Sequence, residues 1–164
     1  MEMFPITLLV AAFLCTLVAG VVFAFAAVVM PGIRQLGDDD FLRAFQVIDQ
    51  VIQKGQPFFM LVWVGSALAL IGAAALGFGQ LDGTGRGLLV TAVVVYLLGV
   101  QLPTAAINIP LNNRLQEMKI EDLNPAEQAA TRRGFEGRWN AANLARTVLA
   151  CVVSVLLSIL LLRL

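Results

Sequence analysis

Histidine is absent from this 164-residue chain, and charged residues make up only 13% of it. Without histidine the protein lacks the commonest metal ligand, the usual axial ligand of haem iron and the side chain that most often transfers protons near neutral pH. We therefore expect no metal and no cofactor. Any chemistry must use other side chains.

The chain also lacks an excess of either charge, since its formal net charge is zero. Proteins that bind nucleic acid usually carry a basic patch or stripe, so we expect no nucleic-acid partner. Cys15 and Cys151 are its only cysteines, and both lie in apolar runs, where a free thiol behaves as a small hydrophobe. Nothing in the sequence places them at one depth, so we expect no disulfide.

Long apolar runs are the main feature that is present: hydrophobic residues make up 59% of the chain, against about 45–50% in soluble proteins. A membrane-spanning helix needs about 20 mostly apolar residues. The sequence therefore predicts four spans, at 5–30, 57–79, 88–109 and 140–162. The first run is too long for a signal peptide and follows Glu2 with no basic residue, so we predict that it is retained.

Two further helices are predicted outside the spans. Residues 39–53 form an amphipathic pattern, with Asp49 and Gln50 between apolar residues at helical spacing: Leu42, Phe45, Ile48 and Ile52. We interpret this helix as a connector on the membrane surface or a cap on the bundle, rather than a regulatory lid. Residues 125–139 begin with a capping pattern and continue without a breaker into the fourth span.

The predicted fold class is all-α, with residues 1–164 forming one membrane domain. It is a four-transmembrane-helix bundle with an amphipathic helix between spans 1 and 2 and a long, extended fourth helix. Proline should terminate two of the spans, at Pro31 and at Pro110, and Pro103 should kink the third.

The basic residues predict the orientation. The two longer connections hold most of them, whereas the opposite side has only Arg86 and Arg163. The positive-inside rule then places both connections in the cytoplasm and both chain ends outside. We expect a multi-pass protein of the bacterial inner membrane, surrounded by membrane lipid.

Two polar stretches, 108–113 and 138–146, adjoin apolar runs, and polar groups there are costly unless something satisfies them. About 16 uncharged residues separate Arg146 from Arg163, or about 24 Å of helix, against a hydrocarbon core of about 30 Å. The fourth span must therefore begin before Arg146. The two stretches then lie at one depth, on the cytoplasmic side.

Helical spacing puts Trp139, Asn143 and Arg146 on one face, with Phe135 a turn earlier. A similar stripe on the third span consists of Gln101, Thr104 and Asn108. We predict that the two faces form a polar cup. A purely structural clamp is the competing interpretation, because arginine can extend to the interface and asparagine joins membrane helices for about 0.6 kcal/mol. Five or six polar groups at one depth exceed what a clamp needs.

These residues resemble the motifs of a small four-span membrane family that includes fungal anthrone oxygenases and many bacterial proteins. The resemblance covers nearly the whole chain and rests on three motifs: Met30-Pro31, Asn108-x-Pro110-Leu111-Asn112 and Trp139-x-x-x-Asn143-x-x-Arg146. Ala142 and Leu144 stand where many members carry an aromatic residue and a histidine. We therefore carry over no acid–base or metal role at those two positions.

The resemblance implies oxidation by O₂ of an activated methylene in a polycyclic phenol. Because such a compound ionises to an electron-rich anion that reacts with O₂ directly, the protein need only bind it, stabilise the anion and shield intermediates. The implied catalytic residues are Arg146 as anion partner and Asn112 and Asn143 as hydrogen-bond donors. The candidate substrate-binding residues are Trp139 as an aromatic wall, with Asn108, Gln101 and Asn113.

No general base is evident in the sequence, since Glu136, the nearest carboxylate, should pair with Arg132 four residues earlier. Other functions stay open. The cup could hold a lipid or quinone headgroup, or the protein could be a non-catalytic accessory or assembly subunit that docks on membrane proteins or on itself. A transporter is disfavoured, because four spans lack the paired broken helices of inverted repeats.

Overall fold

The computed structural model describes residues 3–164, which form five long helices and no strand within that range. The helices are α1 (Met3–Ile33), α2 (Asp38–Gln53), α3 (Pro57–Gly77), α4 (Gly83–Gln116) and α5 (Pro125–Leu162). All but α2 are long and apolar enough to cross a membrane. The predicted all-α, four-span fold is confirmed.

The bundle is built around α1, which packs against both α3 and α5, while α4 packs on α5. The buried residues of α1 recur at alternating steps of four and three, the spacing that keeps one face against neighbouring helices: Leu8, Ala11, Cys15, Val18 and Val22. Cys15 is buried and Cys151 is exposed, and both thiols are free, as predicted.

Helix α2 covers one end of the bundle, where it packs on α4 and α5. Its apolar face joins the ends of those helices in a second hydrophobic core, which we call the cap core: Met30, Phe41, Leu42, Phe45, Leu111, Leu115, Ile120, Phe135 and Trp139. Of the two placements that the sequence allowed for this amphipathic helix, the structure shows the cap.

Arg132 fastens α5 to the connection between α1 and α2. Its Nε donates to Glu136 at 2.9 Å, the pairing predicted from their spacing. Its Nη1 donates to the carboxylate of Asp38 at 3.0 Å and to the carbonyl of Leu36 at 2.9 Å, and Nη2 donates to the carbonyl of Arg34 at 2.8 Å. The extension of α5 therefore holds the cap in register with the bundle.

The predicted helix ends at two prolines are wrong: α1 continues past Pro31 to Ile33, and α4 continues past Pro110 to Gln116. A π-helical turn precedes each proline, at Phe25–Val29 in α1 and at Thr104–Asn108 in α4. After the π-turn, each proline falls in the first turn of the next α-helical segment. The wider π-turn accounts for the continuity: its last N–H bonds a carbonyl five residues back, Met30 to Phe25 and Ile109 to Thr104, so the ring of the following proline does not break the helix.

Candidate functional site

The polar residues of α5 lie in the same seam as its apolar core residues. Trp139, Asn143 and Arg146 are 3%, 1% and 6% exposed, and the four-and-three spacing that joins them continues through Ala150 and Val153. The predicted shared face is confirmed. One buried face of α5 is therefore polar near Asn143 and Arg146 and becomes apolar from Ala150 onward.

Arg146 is a buried cation whose hydrogen-bond partners are neutral. Its Nη1 donates to Thr104 Oγ1 at 2.9 Å and its Nη2 donates to Asn143 Oδ1 at 3.0 Å. The guanidinium carbon lies 5.6 Å from the centre of the Trp139 ring, within range of a cation–π attraction. Among residues 3–164 no carboxylate lies within ion-pair distance of Arg146, and its Nε has no partner.

Helices α1 and α4 fix the two partners of Arg146. Asn143 donates from Nδ2 to the carbonyl of Val22 in α1 at 3.1 Å, and Thr104 donates to the carbonyl of Val100 in α4 at 2.7 Å. Asn143 thus serves as a support for Arg146 across the α1–α5 interface. Its predicted role as a hydrogen-bond donor to substrate stays a prediction.

Asp49 is not among the predicted site residues, because the sequence places it among the polar positions of α2. The structure buries this carboxylate, with 3% exposure. Three side-chain amides donate to it: Asn112 to Oδ1 at 2.7 Å, and Gln53 and Gln116 to Oδ2 at 2.7 and 3.0 Å. The signal was present in the spacing, because Asp49 lies four residues after the buried Phe45 on the same helix face.

Asn112 connects the carboxylate to the aromatic wall. Its Oδ1 accepts a hydrogen bond from Trp139 Nε1 at 2.8 Å, while its Nδ2 donates to Asp49. The Trp139 ring in turn lies beside Arg146. A chain of contacts therefore runs from the carboxylate on α2, through α4, to the guanidinium on α5.

A cavity of about 190 Å³ lies among these groups, bounded by all five helices. Its aromatic lining consists of Phe25, Phe45, Phe59, Trp63 and Trp139. Its polar lining consists of Asp49, Thr104, Asn108, Asn112, Asn143 and Arg146, so one carboxylate and one guanidinium are its only charged side chains among residues 3–164. Sites for drug-sized ligands measure about 300–1,000 Å³, so this one fits a small, flat molecule or one end of a larger one.

Two of the predicted binding residues, Gln101 and Asn113, do not line the cavity. A π-turn, Leu97–Gln101, shifts the buried positions of α4 so that Val100 takes the core position. Asn113 is exposed and accepts a hydrogen bond from Gln53 at 3.2 Å.

The remaining predicted residues do line the cavity: Arg146, Asn143, Asn112, Asn108 and Trp139. Asn108 is 2% exposed and donates to the carbonyl of Trp139 at 3.4 Å, while its own Oδ1 is buried with no partner. The site therefore contains two buried polar atoms without a hydrogen-bond partner, Oδ1 of Asn108 and Nε of Arg146. A bound polar ligand could satisfy both atoms.

Among known families, the model described as anthrone oxygenase matches residues 49–156 of the chain. The matched segment covers more than half of the chain and contains both charged residues of the cavity. The chain belongs to the anthrone oxygenase family. Nothing matches it among curated proteins or among solved structures. Within this family the cavity is the candidate site, since it gathers the three predicted catalytic residues with Asp49.

Proposed function

We propose that this member of the anthrone oxygenase family binds the anion of a flat, lipophilic phenol in the cavity and promotes its oxidation by O₂ without a cofactor. The observation that carries the proposal is Arg146, a buried guanidinium with neutral partners only, which lines an aromatic cavity. No other site within residues 3–164 combines a buried cation with aromatic walls.

Electrostatics favour an anionic ligand at Arg146. Removing a charge from water is costly, and buried charges are usually paired with an opposite charge. Among residues 3–164 no opposite charge lies within ion-pair distance of Arg146, so an oxyanion that enters the cavity supplies it. The Nε–H, which has no partner, is a ready donor to that oxygen.

The aromatic lining favours a flat ring system next to that anion. Trp139 packs against Phe25 and Phe45, with ring centres 5.6 and 5.3 Å apart. Phe59 and Trp63 stack on each other from α3, with ring centres 5.4 Å apart. Aromatic surfaces of this kind bind another ring by stacking and by exclusion of water.

The reaction needs only the substrate and O₂. An anthrone loses a proton from its ring methylene, and the anion, stabilised by Arg146, forms a carbon–oxygen bond with O₂. Protonation gives a hydroperoxide, which loses water as its O–O bond breaks and the second methylene proton leaves. The methylene carbon ends as a ketone, O₂ is reduced, and one oxygen atom leaves in water. The protein contributes charge stabilisation and exclusion of solvent.

The cavity lies at the end of the bundle that carries the longer, basic connections. We therefore propose that the site opens near the cytoplasmic leaflet of a bacterial inner membrane, with both chain ends outside. A lipophilic substrate would then reach it from the bilayer. Fusion of the C-terminus to alkaline phosphatase, which is active only outside the cytoplasm, tests this orientation.

The test is O₂ consumption by purified protein in lipid nanodiscs with anthrone as substrate, after subtraction of the rate with empty nanodiscs. Arg146→Met should lower the rate by about 10²–10³-fold, the usual effect of losing one group that stabilises an oxyanion. Arg133→Met, at an exposed position of the same helix, is the matched control and should keep the wild-type rate. An Arg146→Met protein that matches wild type would overturn the proposal.

The alternative, a non-catalytic subunit with a structural clamp, predicts a different result. Wild type would then show no O₂ consumption above the empty-nanodisc rate. Arg146→Met would instead lower the thermal stability or the yield of a complex with partner proteins. The observation that favours this alternative is that Arg146 forms hydrogen bonds with Thr104 and Asn143, which a structural clamp would also need.

A further inference from the structure

We infer that Asp49 is the proton acceptor of this site: it removes the methylene proton and so produces the anion that Arg146 stabilises. The inference rests on the proposed function. It assigns a catalytic role to a residue on α2, the helix that caps the bundle rather than crossing the membrane.

The positions of the two charges in the cavity favour this role. Asp49 and Arg146 line the same cavity, and both are at least nine-tenths buried. They do not form an ion pair with each other. A molecule between them would have its acidic C–H near a carboxylate and its oxygen near a guanidinium, which is the arrangement that ionisation requires.

The hydrogen bonds that hold Asp49 leave its carboxylate able to accept a proton. A carboxylate has about four lone-pair positions, and amides of Asn112, Gln53 and Gln116 occupy three of them. Oδ1 accepts only from Asn112, so it keeps a position for a proton. Because all three donors are neutral, no protein cation competes with the incoming proton.

Within residues 3–164 the cavity contains no other carboxylate that could act as the base. Glu136, the nearest carboxylate in the sequence, is bound to Arg132 and lies 3.6 Å from Arg34, and it does not line the cavity. Among residues 3–164, Asp49 is the one carboxylate in the lining. The base that the sequence analysis could not find is therefore supplied by α2.

The proton that leaves the substrate is later returned to it within the site. The methylene C–H bond breaks, its electron pair stays on the substrate and spreads to the oxygen beside Arg146, and the proton binds Oδ1 of Asp49. After the carbanion bonds to O₂, the peroxide oxygen takes this proton back and the carboxylate is restored. Loss of water then completes the oxidation, with O₂ as the only oxidant.

Asp49→Asn tests the inference, because it keeps the size of the side chain but removes the base. We expect O₂ consumption with anthrone to fall by about 10²–10⁴-fold, the usual contribution of a general base. Binding of anthraquinone, which needs no proton transfer, should stay within threefold of wild type when measured by quenching of tryptophan fluorescence. Asp40→Asn, an exposed position on the same helix, is the matched control and should keep full activity.

Asp49→Glu separates a catalytic role from a structural one. It retains a carboxylate, so it should recover part of the activity that Asp49→Asn loses. Wild-type activity in Asp49→Asn would overturn the inference, and so would equal losses of activity, anthraquinone binding and thermal stability in both variants. If wild type itself consumes no O₂ with anthrone, the proposed function fails first, and the two failures are distinguishable.

Discussion

The two ends of the bundle are built on different principles. The rest of the bundle, which we call the far end, is packed with aliphatic and small residues, and a buried hydrogen bond between its helices joins Ser66 to Tyr96 at 2.6 Å. The capped end buries a carboxylate, a guanidinium and several amides around a cavity, and π-turns in α1 and α4 lie at the same level.

This difference suggests that the apolar end mainly stabilises the fold, whereas the capped end is the better candidate for a functional site. An apolar seam needs only complementary shape, whereas buried polar groups must each find a partner or remain costly. Among residues 3–164, two of the three buried polar atoms without a partner are at Asn108 and Arg146 in the capped end, and the third is Nε2 of Gln101, outside the cavity lining. Proteins tolerate such local conflicts mainly at functional sites, and π-turns often occur there. Under the proposed function, the reaction takes place at the capped end, and the far end supplies structural support.

The largest effect that we expect is from Trp139→Ala, which should destabilise the capped end and leave the far end folded. Trp139 is 3% exposed in the cap core and donates to Asn112. Loss of a buried tryptophan costs about 3–5 kcal/mol. Amide hydrogen exchange in detergent should show rapid exchange in α2 and unchanged protection in α1 around Cys15.

Phe58→Ala is the control for this experiment, because Phe58 begins α3 with 74% exposure and should tolerate truncation. Equal loss of protection in α2 and in the middle of α1 would show that the two ends unfold as one unit. The two ends of the bundle would then differ in composition but not in stability.

The sequence predicts the far end better than the capped end. Apolar runs specify the spans directly, since a span is defined by length and hydropathy. The face shared by Trp139, Asn143 and Arg146 also follows from spacing alone, because α5 is a regular α-helix through all three. Where the backbone is regular, the periodicity of the sequence carries over to the structure.

The π-turns and Asp49 could not be predicted in the same way. Because π-turns add residues to the repeat, the buried positions of α4 recur at every fourth residue, at Val100, Thr104 and Asn108, and this stripe leaves out the predicted Gln101. Asp49 looks like a surface residue by type, and its burial depends on amide donors, of which Gln53 lies on α2 itself and two lie on a distant segment. Such partners, at Asn112 and Gln116, become neighbours only when α2 folds over the bundle.

Ser66→Ala should have a smaller effect and should act at the far end alone. Ser66 donates its proton to the carbonyl of Trp63 at 2.7 Å, so the Tyr96 hydroxyl donates to Ser66 Oγ. Removing the acceptor should cost about 0.6–1.7 kcal/mol, the range for polar contacts between membrane helices. Thermal unfolding in detergent measures this, and O₂ consumption at moderate temperature should be unchanged.

A double variant, Ser66→Ala with Tyr96→Phe, sharpens this prediction. Removing both partners leaves no unsatisfied hydroxyl, so the double variant should be closer to wild type than Ser66→Ala is. Ser158→Ala, at an exposed position of α5, is the control for loss of a hydroxyl. A double variant less stable than either single one would contradict this account of the far end.

The smallest effect concerns Asp82, in the connection between α3 and α4 at the far end. A hydrogen bond from the backbone N–H of Gly85 lowers the pKa of this carboxyl from its usual 3.8; desolvation opposes the shift, and the charges of Arg163 and Arg86 add to it. Because the pKa is lower in the folded protein, the stabilisation is present above the unfolded pKa and is lost as the pH falls through the folded one.

Asp82→Asn keeps a side-chain oxygen that can cap the helix but cannot ionise. The variant therefore separates the effect of the charge on stability from the effect of the cap. Wild type should have the higher melting temperature at pH 7, and the difference should shrink towards zero as the pH falls below 3.8. Because Asp82 is exposed, the difference should be small and should decrease in high salt. Asp122→Asn, at another exposed site, is the control. If the melting temperature of wild type instead rises relative to that of Asp82→Asn as the pH falls, the pKa of Asp82 is raised in the folded protein and its negative charge destabilises this end.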